Sequence, residues 1–425
     1  MAPRAAVQTL VPAEQASRDR SAARAWPLVA VWAAWSTLMA GANLATPLYA
    51  VYAERFGFSS LVLTAIFAAY AFVLIPALLL FGRLSDRFGR RPVMVAGLLV
   101  GCLGLALFAA ARSTPWLFGA RVVQGLAVGL VSGPATAALV EYDAGGDTQR
   151  PALLAGLAQA GGGSLGAAIA GVLAQWAPAP RQLCFLVVLA ATLVAAAVTF
   201  TLPEPAEAGR ERWRIQWPRV PAEIRADFAR VSLTAATVWG TVALCFSIVP
   251  TYAGHLLGTR NLALLGSIAA IALAASCATQ ILSQRLRLQL QRGQALGLGL
   301  LAAGLVTLVL ASPLHSLALL LAGAVSAGAG HGFGFLSAQD ELNVIAPGER
   351  RGEVTSAFIG CIYVVVATSV IATGVLDRRL SLSLAVGVVA LALAAVAVAT
   401  AAWQLRSGFE MTPNESTGRF RRTRG

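Results

Sequence analysis

The densest group of chemically active side chains in this sequence is a carboxylate among guanidinium groups. Residues 82–92 are Gly-Arg-Leu-Ser-Asp-Arg-Phe-Gly-Arg-Arg-Pro, so Asp86 has four arginines within five positions. Asp86 can form an ion pair with Arg87 or Arg90, and an exposed pair of this kind contributes only about 0–1 kcal/mol. The chemistry that this segment can perform is electrostatic contact, and the free energy that such a contact contributes depends on how far it is buried.

Two other ionisable side chains lie inside long apolar runs. An arginine within a membrane span, such as Arg121, costs about 2.5–3.5 kcal/mol on insertion scales. It should therefore face protein or a wet cavity, or extend to the nearer membrane surface. His331 lies between two glycines in a second run. With an ordinary pKa of about 6.5 it could relay protons, or it could be a hydrogen-bonded packing residue.

The elements that must position these residues are membrane-spanning helices. The chain has 425 residues, of which 57% are hydrophobic and 12% are charged, about half the charged fraction of a soluble protein. Twelve apolar runs of roughly 19–27 residues are each long enough to cross a hydrocarbon core of about 30 Å. The sequence therefore predicts an all-α polytopic membrane protein. The predicted spans are 26–52, 60–82, 92–111, 115–140, 151–176, 182–202, 230–254, 260–283, 294–312, 315–339, 353–376 and 381–405.

A polar segment divides the spans into two groups of six. A weak repeat at an offset of about 201 residues relates the groups, and at that offset Pro92 matches Gly293. The loop motif is not repeated, because Asp86 falls on Arg287. The predicted organisation is a tail at 1–25, a bundle at 26–202, a linker at 203–229, a bundle at 230–405 and a tail at 406–425.

Arginine is unevenly distributed between the two sets of loops, and every basic residue in the chain is arginine. Membrane proteins retain positive charge on the cytoplasmic side, so both termini and the linker are predicted to be cytoplasmic. The first apolar run is too long for the apolar region of a signal peptide. Arginine without lysine, together with the heavy use of Ala, Gly, Leu and Val, suggests a GC-rich bacterial genome, so we expect a bacterial inner-membrane protein. The Arg-rich set comprises the N-tail, 83–91, Arg150, 203–230, 284–293, Arg350, Arg351 and the C-tail.

Several classes of function find no support in the sequence. We see no phosphate-binding Gly-Lys-Ser/Thr loop, no nucleophile elbow and no metal-ligand spacing. The five cysteines lie far apart inside apolar runs, and the arginines lie in separate short loops rather than on one face. We therefore expect neither an enzyme nor a nucleic-acid binder, and no cofactor or metal. The expected partners are a small-molecule solute, protons and the lipid bilayer, with the protein monomeric.

The segment at 82–92 resembles the loop between helices 2 and 3 of the major facilitator superfamily, whose pattern is Gly-x-Leu-x-Asp-Arg-x-Gly-Arg-Arg/Lys. The resemblance implies two six-helix bundles. It also implies that Asp86 is a conformational latch, which approaches the start of helix 11 near residues 352–356 when the cytoplasmic side is closed. Glu141, at the end of helix 4, is the nearest candidate partner for the paired arginines. The matching residues are Gly82, Leu84, Asp86, Arg87, Gly89, Arg90 and Arg91.

Two further stretches resemble signatures of the same superfamily. The residues Arg121, Gln124 and Gly125 resemble a helix 4 signature that is linked to proton coupling in antiporters. Glycines at 162, 166 and 171 approximate the helix 5 pattern of drug–proton antiporters, although the same spacing suits close helix packing. In the resembling fold, helices 1, 4, 7 and 10 line a central cavity. The candidates for cavity or coupling roles are Arg121, Gln124, Gly125, His331, Trp35, Asn43, Gln159, Trp239 and Tyr363.

The function that these features imply is secondary active transport by alternating access. Proton-coupled export of small amphipathic compounds is the leading interpretation, and scattered Trp, Asn and Gln favour a neutral or cationic solute over a multiply anionic one. Helix 1 has no acid, which leaves the proton site open. Asp340 and Glu341 are expected to be interfacial ion-pair partners of Arg350 or Arg351. The alternatives are an importer of a sugar or organic metabolite, and a membrane sensor or assembly factor without transport activity.

Overall fold

The computed structural model describes residues 13–81, 84–143, 149–204, 218–347, 350–407, 409–413 and 420–424. Within these residues, twelve helices are long and apolar enough to cross a membrane. The predicted all-α fold with twelve spans is therefore confirmed. We number the spans 1–12 in chain order.

The helix bounds lie within a few residues of the predicted ones. Span 1 consists of helix Ala13–Asn43, a 3-10 turn at Thr46–Leu48 and helix Tyr49–Phe56, with its apolar part beginning at Trp26. The other spans are Ser60–Phe81, Arg90–Ala109, Thr114–Tyr142, Gln149–Trp176, Leu183–Phe200, Arg225–Ser247, Leu262–Leu286, Leu290–Leu310, Leu317–Ile345, Arg351–Asp377 and Leu382–Arg406. Shorter helices cover Leu84–Phe88 and Val249–Leu257, and a 3-10 turn covers Ala222–Ile224.

Three elements differ from the sequence prediction. The segment predicted as a loop after span 2 contains a helical turn, Leu84–Phe88. Span 7 begins at Arg225 rather than at 230, with Asp227 in its first turn, where an acid is favourable. After span 12, strands β1 (Phe409–Pro413) and β2 (Phe420–Arg424) form an antiparallel hairpin within the predicted C-terminal tail.

Local sequence explains where the spans break and begin. Pro47 lies in the 3-10 turn that interrupts span 1, as expected for a residue without a backbone N–H. Gly57 ends that span with a φ of +66°, a left-handed cap that favours glycine. The side chain of Asn261 accepts a hydrogen bond from the backbone of Leu264 and thereby caps span 8.

The spans pack in two sets that follow the chain order. Most helix contacts lie within spans 1–6 or within spans 7–12, and two pairs join the sets extensively: span 5 with span 8, and span 2 with span 11. The division of the chain at the linker 203–229 stays a prediction, because residues 205–217 lie outside the described residues.

Close approach between spans depends on glycine at a few positions. A Cβ atom at Gly166 in span 5 would lie 2.1 Å from the carbonyl oxygen of Ala40 in span 1. A Cβ atom at Gly328 in span 10 would lie 1.8 Å from the carbonyl oxygen of Ala272 in span 8. Distances this short exclude any side chain without a shift of the backbone. The glycines of span 5 are therefore placed as packing residues, one of the two interpretations that the sequence left open.

We expect Gly328→Ala to destabilise the folded protein by about 1–3 kcal/mol, because the added methyl group forces spans 8 and 10 apart. Thermal unfolding of the purified protein in detergent measures the effect. Gly360→Ala in span 11 is the matched control, because no atom lies within 4 Å of its added Cβ. Equal unfolding temperatures for the two variants would contradict the packing argument.

Candidate functional site

A cavity of about 1500 Å³ lies between the two sets of spans. Its wall includes side chains of spans 1, 4, 7 and 10, as the resemblance implied, and also of spans 2, 5, 8 and 11. The additional spans are the ones that join the two sets. The volume is sufficient for an organic solute of drug size.

The cavity reaches the end of the bundle that carries Asp86, which we call the Asp86 end. There its wall includes Leu78 and Asp86 on one side and Gly352 and Thr355 on the other. The cavity thus separates the ends of spans 2 and 11 at the position where the latch contact was predicted.

The two sets of spans touch at the opposite end. In span 11, a Cβ atom at Gly374 would lie 2.2 Å from the hydroxyl oxygen of Thr64 in span 2. Between spans 5 and 8, the backbone N–H of Leu262 donates to the side chain of Gln175 at 2.7 Å. The structure is therefore closed at the opposite end and open between spans 2 and 11 at the Asp86 end.

Six of the nine predicted cavity or coupling residues line the cavity. They are Trp35, Asn43, Arg121, Gln159, Trp239 and Tyr363.

Three predicted residues do not line it. Gln124 turns toward span 1, where its amide donates to the carbonyl oxygen of Gly41 at 3.1 Å. Gly125 is a packing position, since a Cβ atom there would lie 2.6 Å from the carbonyl oxygen of Tyr70. His331 is buried in the wall behind Trp239.

Arg121 lies at the blind end of the cavity and is 2% exposed. Its Nε donates to the hydroxyl of Tyr49 at 2.6 Å, and its Nη2 donates to the same hydroxyl. Its Nη1 donates to the carbonyl oxygen of Ala42 at 2.7 Å and to Gln124 at 3.0 Å. Four aromatic rings lie 5.4–5.8 Å from the guanidinium carbon: those of Tyr49, Phe67, Tyr70 and Phe108. Arg121 therefore faces protein and cavity rather than the nearer membrane surface.

His331 is held by a hydrogen-bonded chain from span 8. Its Nδ1 lies 2.8 Å from the hydroxyl oxygen of Ser276, which accepts from the amide of Gln280 at 3.1 Å. Among the described residues, Nε2 finds no hydrogen-bond partner. The ring packs against Trp239 and Phe335, with centroids 4.9 and 5.5 Å away, so it lies one side chain from the cavity.

Arg90 joins three segments at the Asp86 end. Its Nη1 donates to the Ser85 hydroxyl at 2.8 Å and pairs with Asp86, while its Nη2 pairs with Glu141 at 3.0 Å. The structure thus brings Arg90 to its predicted partner at the end of span 4. Arg91 turns elsewhere and donates to the carbonyl oxygen of Leu202 at 3.2 Å.

Sequence reasoning missed Glu204. Its carboxylate accepts the backbone N–H of Arg90, and that of Arg91 at 3.3 Å, and therefore caps the start of span 3. Gly89 adopts a φ of +94°, and a Cβ atom there would lie 2.8 Å from the Glu204 carboxylate. The left-handed φ favours glycine at 89, and any side chain there would also have to displace the Glu204 carboxylate. The signal in the sequence was an acid directly after span 6, at the same end as the Arg-rich segment.

The structure does not bring Asp86 to the start of span 11. Asp86 pairs with Arg90 within its own segment, and the cavity lies between it and Gly352. Leu84 and Arg87 flank Asp86 on the short helix, where the guanidinium of Arg87 lies 5.3 Å from the ring centroid of Phe88. Gly82 lies outside the described residues. The latch contact was expected for a state closed at this end, so it stays a prediction.

A buried charged network lies at the same end in the second half of the chain. Arg230 in span 7 pairs with Glu341 in span 10, and neither residue is more than 2% exposed. Gln294 in span 9 donates to the second carboxylate oxygen of Glu341. Gln404 in span 12 accepts from Arg230 and donates to Gln294 at 2.7 Å. Four spans are thus tied together.

This network corrects one expectation. Glu341 is not an interfacial partner of Arg350 or Arg351, because the early start of span 7 turns Arg230 inward to meet it. Arg351 donates instead to the carbonyl oxygen of Asn343 at 3.3 Å.

The networks of the two halves share an acid at nearly equivalent positions, since Glu141 and Glu341 are 200 positions apart. Their arginines are not equivalent, because Arg90 lies in span 3 and Arg230 lies in span 7. In each half, the acid at the end of the fourth span pairs with an arginine, which is Arg90 in the first half and Arg230 in the second. The second half has lost the loop motif and keeps a tie between the ends of its helices.

The family model of the Major Facilitator Superfamily matches residues 31–370. The chain belongs to this superfamily. Its membership accounts for the twelve spans and places the protein among membrane transporters.

Two similar proteins support the assignment at different levels. A bacterial homologue of the human lysosomal transporter Spinster, solved in an inward-facing and unoccupied conformation, matches with a TM-score of 0.64 and 16% identity. The match covers 90% of this chain and 95% of that one, and at this identity it shows the fold alone. The class C tetracycline resistance protein of Escherichia coli is 42% identical over 74 residues. That match spans 17% of this chain and 18% of the relative.

We expect Arg230→Met to destabilise the protein by about 3–5 kcal/mol, because it leaves Glu341 buried without its cation. The double variant Arg230→Met/Glu341→Met should lose less stability than the single variant, since neither charge of the pair remains buried. Thermal unfolding in detergent measures all three proteins.

The matched control is Arg260→Met, which breaks an exposed pair with Glu54 at 3.6 Å and should cost about 0–1 kcal/mol. A double variant as unstable as the sum of its two single variants would show that the pair is not coupled.

Proposed function

We propose that this chain is a proton-linked secondary transporter of the bacterial inner membrane that exports small amphipathic compounds by alternating access. In this proposal the Asp86 end and both termini are cytoplasmic, in keeping with the distribution of arginine between the loops. The structure then corresponds to a state that takes up solute from the cytoplasm.

One observation carries the proposal: the cavity between the two sets of spans is open at one end and closed at the other. Transporters of this architecture work by rocking two bundles about a central site. Spans 2 and 11 separate at the Asp86 end and touch at Thr64 and Gly374, which is half of such a cycle. A sensor or assembly factor needs no cavity of this size that opens to one surface.

One feature favours export over import, and another favours an amphipathic solute. The short match to a tetracycline resistance protein relates part of the chain to a protein named for drug resistance. The cavity wall also contains several aromatic residues, among them Trp35, Tyr70, Trp239 and Phe335, which suit amphipathic compounds better than a sugar.

Asp86 is proposed to act as the latch in the closed half of the cycle. When the ends of spans 2 and 11 meet, its carboxylate would reach the free N–H groups near Gly352, where a helix N-terminus favours an anion by about 0.3–2 kcal/mol. The pair with Arg90 keeps the short helix in position in the open state.

We expect Asp86→Asn to lower solute flux about fivefold or more, because the loss of a contact of about 1 kcal/mol or more shifts the balance between open and closed states. Uptake into inverted vesicles under an imposed pH gradient measures the flux. Glu54→Gln, which removes an exposed acid at the opposite end, is the control and should leave flux unchanged. Unaltered flux in Asp86→Asn would exclude the latch.

His331 is the proposed proton-coupling group. We expect His331→Gln to retain solute exchange without a gradient and to lose the stimulation that a pH gradient gives, because an amide, unlike an imidazole, cannot bind and release a proton. Counterflow in proteoliposomes, with and without the gradient, measures both. If the pH gradient stimulates His331→Gln as much as the unmodified chain, coupling belongs to another residue. If the gradient drives the solute into the cytoplasm, the importer is favoured over the exporter.

A further inference from the structure

The charge of Arg121 is not neutralised by any carboxylate in the described part of the chain. Four of the five N–H groups of its guanidinium donate to neutral acceptors: the Tyr49 hydroxyl twice, the Ala42 carbonyl and the Gln124 amide oxygen. The surrounding aromatic rings favour a cation but do not cancel its charge. A guanidinium that is 2% exposed therefore leaves the blind end of the cavity positively charged.

The carboxylates on the described cavity wall are too far away to compensate. They are Asp86, Glu141 and Asp340, all at the Asp86 end. Glu141 and Arg121 both lie on span 4, twenty positions apart, which corresponds to about 30 Å of helix. Salt screens interactions over about 8 Å at physiological ionic strength. Beyond the opposite end, the nearest acid along span 1, Glu54, is exposed and paired with Arg260.

The rest of the inner wall is neutral and aromatic. Trp35, Phe67, Trp239 and Phe335 supply rings, and Asn43 and Gln159 supply amides. The other described arginines of the wall, Arg287 and Arg351, belong to helix ends on the Asp86 side. The inner cavity thus offers one positive charge and aromatic surfaces.

We propose that Arg121 sets the charge of the solute, and that the cavity selects an amphipathic aromatic compound with a single negative charge and disfavours organic cations. One N–H of its Nη2 remains to meet a carboxylate or phenolate oxygen. A dianion would need a second cation, which the described inner wall lacks. The inference deepens the proposed transport function, and it replaces the neutral or cationic solute that the sequence suggested.

Equilibrium binding tests this inference with three probes of one shape: 1-naphthoate, 1-naphthamide and 1-naphthylmethylammonium. The purified full chain is held in nanodiscs of neutral lipid without any gradient, and bound radiolabelled probe is counted. We expect naphthoate to bind at least tenfold more tightly than the ammonium compound, with the amide between them. In Arg121→Gln, the affinities for naphthoate and for the ammonium compound should lie within threefold of each other. Arg121→Lys should keep the original order of affinities.

Arg260→Gln, which removes an exposed arginine outside the cavity, is the matched control and should keep the order of the unmodified chain. An ammonium probe that binds as tightly as naphthoate would overturn the inference. So would an order that survives Arg121→Gln, or a failure of all three probes to bind at millimolar concentration. Because no flux is measured, a chain that imports or does not transport would still give the predicted order, which separates this inference from the proposed direction.

Discussion

The ion pairs of Arg90 are the interactions on which the Asp86 end depends. A single guanidinium contacts Asp86 on the short helix and Glu141 at the end of span 4, while its backbone N–H binds Glu204 after span 6. Exposed pairs contribute little individually, but these are partly buried and share one cation. They tie three helix ends together and hold Asp86 on the short helix.

In spans 7–12, the helix ends at the Asp86 end are also tied together, in this case by a buried network. The network consists of Arg230 and Glu341 together with two glutamine side chains, all inside the protein. Removing two charges from water is costly, and hydrogen bonds to each carboxylate oxygen offset the cost only when the geometry is complete. In the proposed cycle the two sets of spans move against each other, and the close glycine contacts at Gly374 and Gly171 form the closed end.

The fold was predictable because length and apolarity alone specify spans in a membrane. The loop motif located Asp86, Gly89 and Arg90, and the position of Glu141 at the end of helix 4 made it the candidate partner, but the hydrogen bonds among these residues were not predicted. The networks were harder to predict. Arg230 was at the edge of a predicted loop. It is buried because span 7 begins at Arg225, and the sequence pattern did not place the start of that helix correctly. Gln124 and His331 were predicted to line the cavity because they lie in spans that border it. The sequence does not show which face of a helix points to the cavity, since that depends on tertiary packing.

The central claim is that the ends of spans 2 and 11 at the Asp86 end open and close. The most direct test is the distance between spin labels attached at Phe88→Cys and Arg351→Cys, two positions with exposed side chains. The five native cysteines are first replaced, and the distance is measured in nanodiscs by pulsed electron paramagnetic resonance. The account predicts a long and a short population whose ratio changes when solute is added. A single distance that solute leaves unchanged would contradict it.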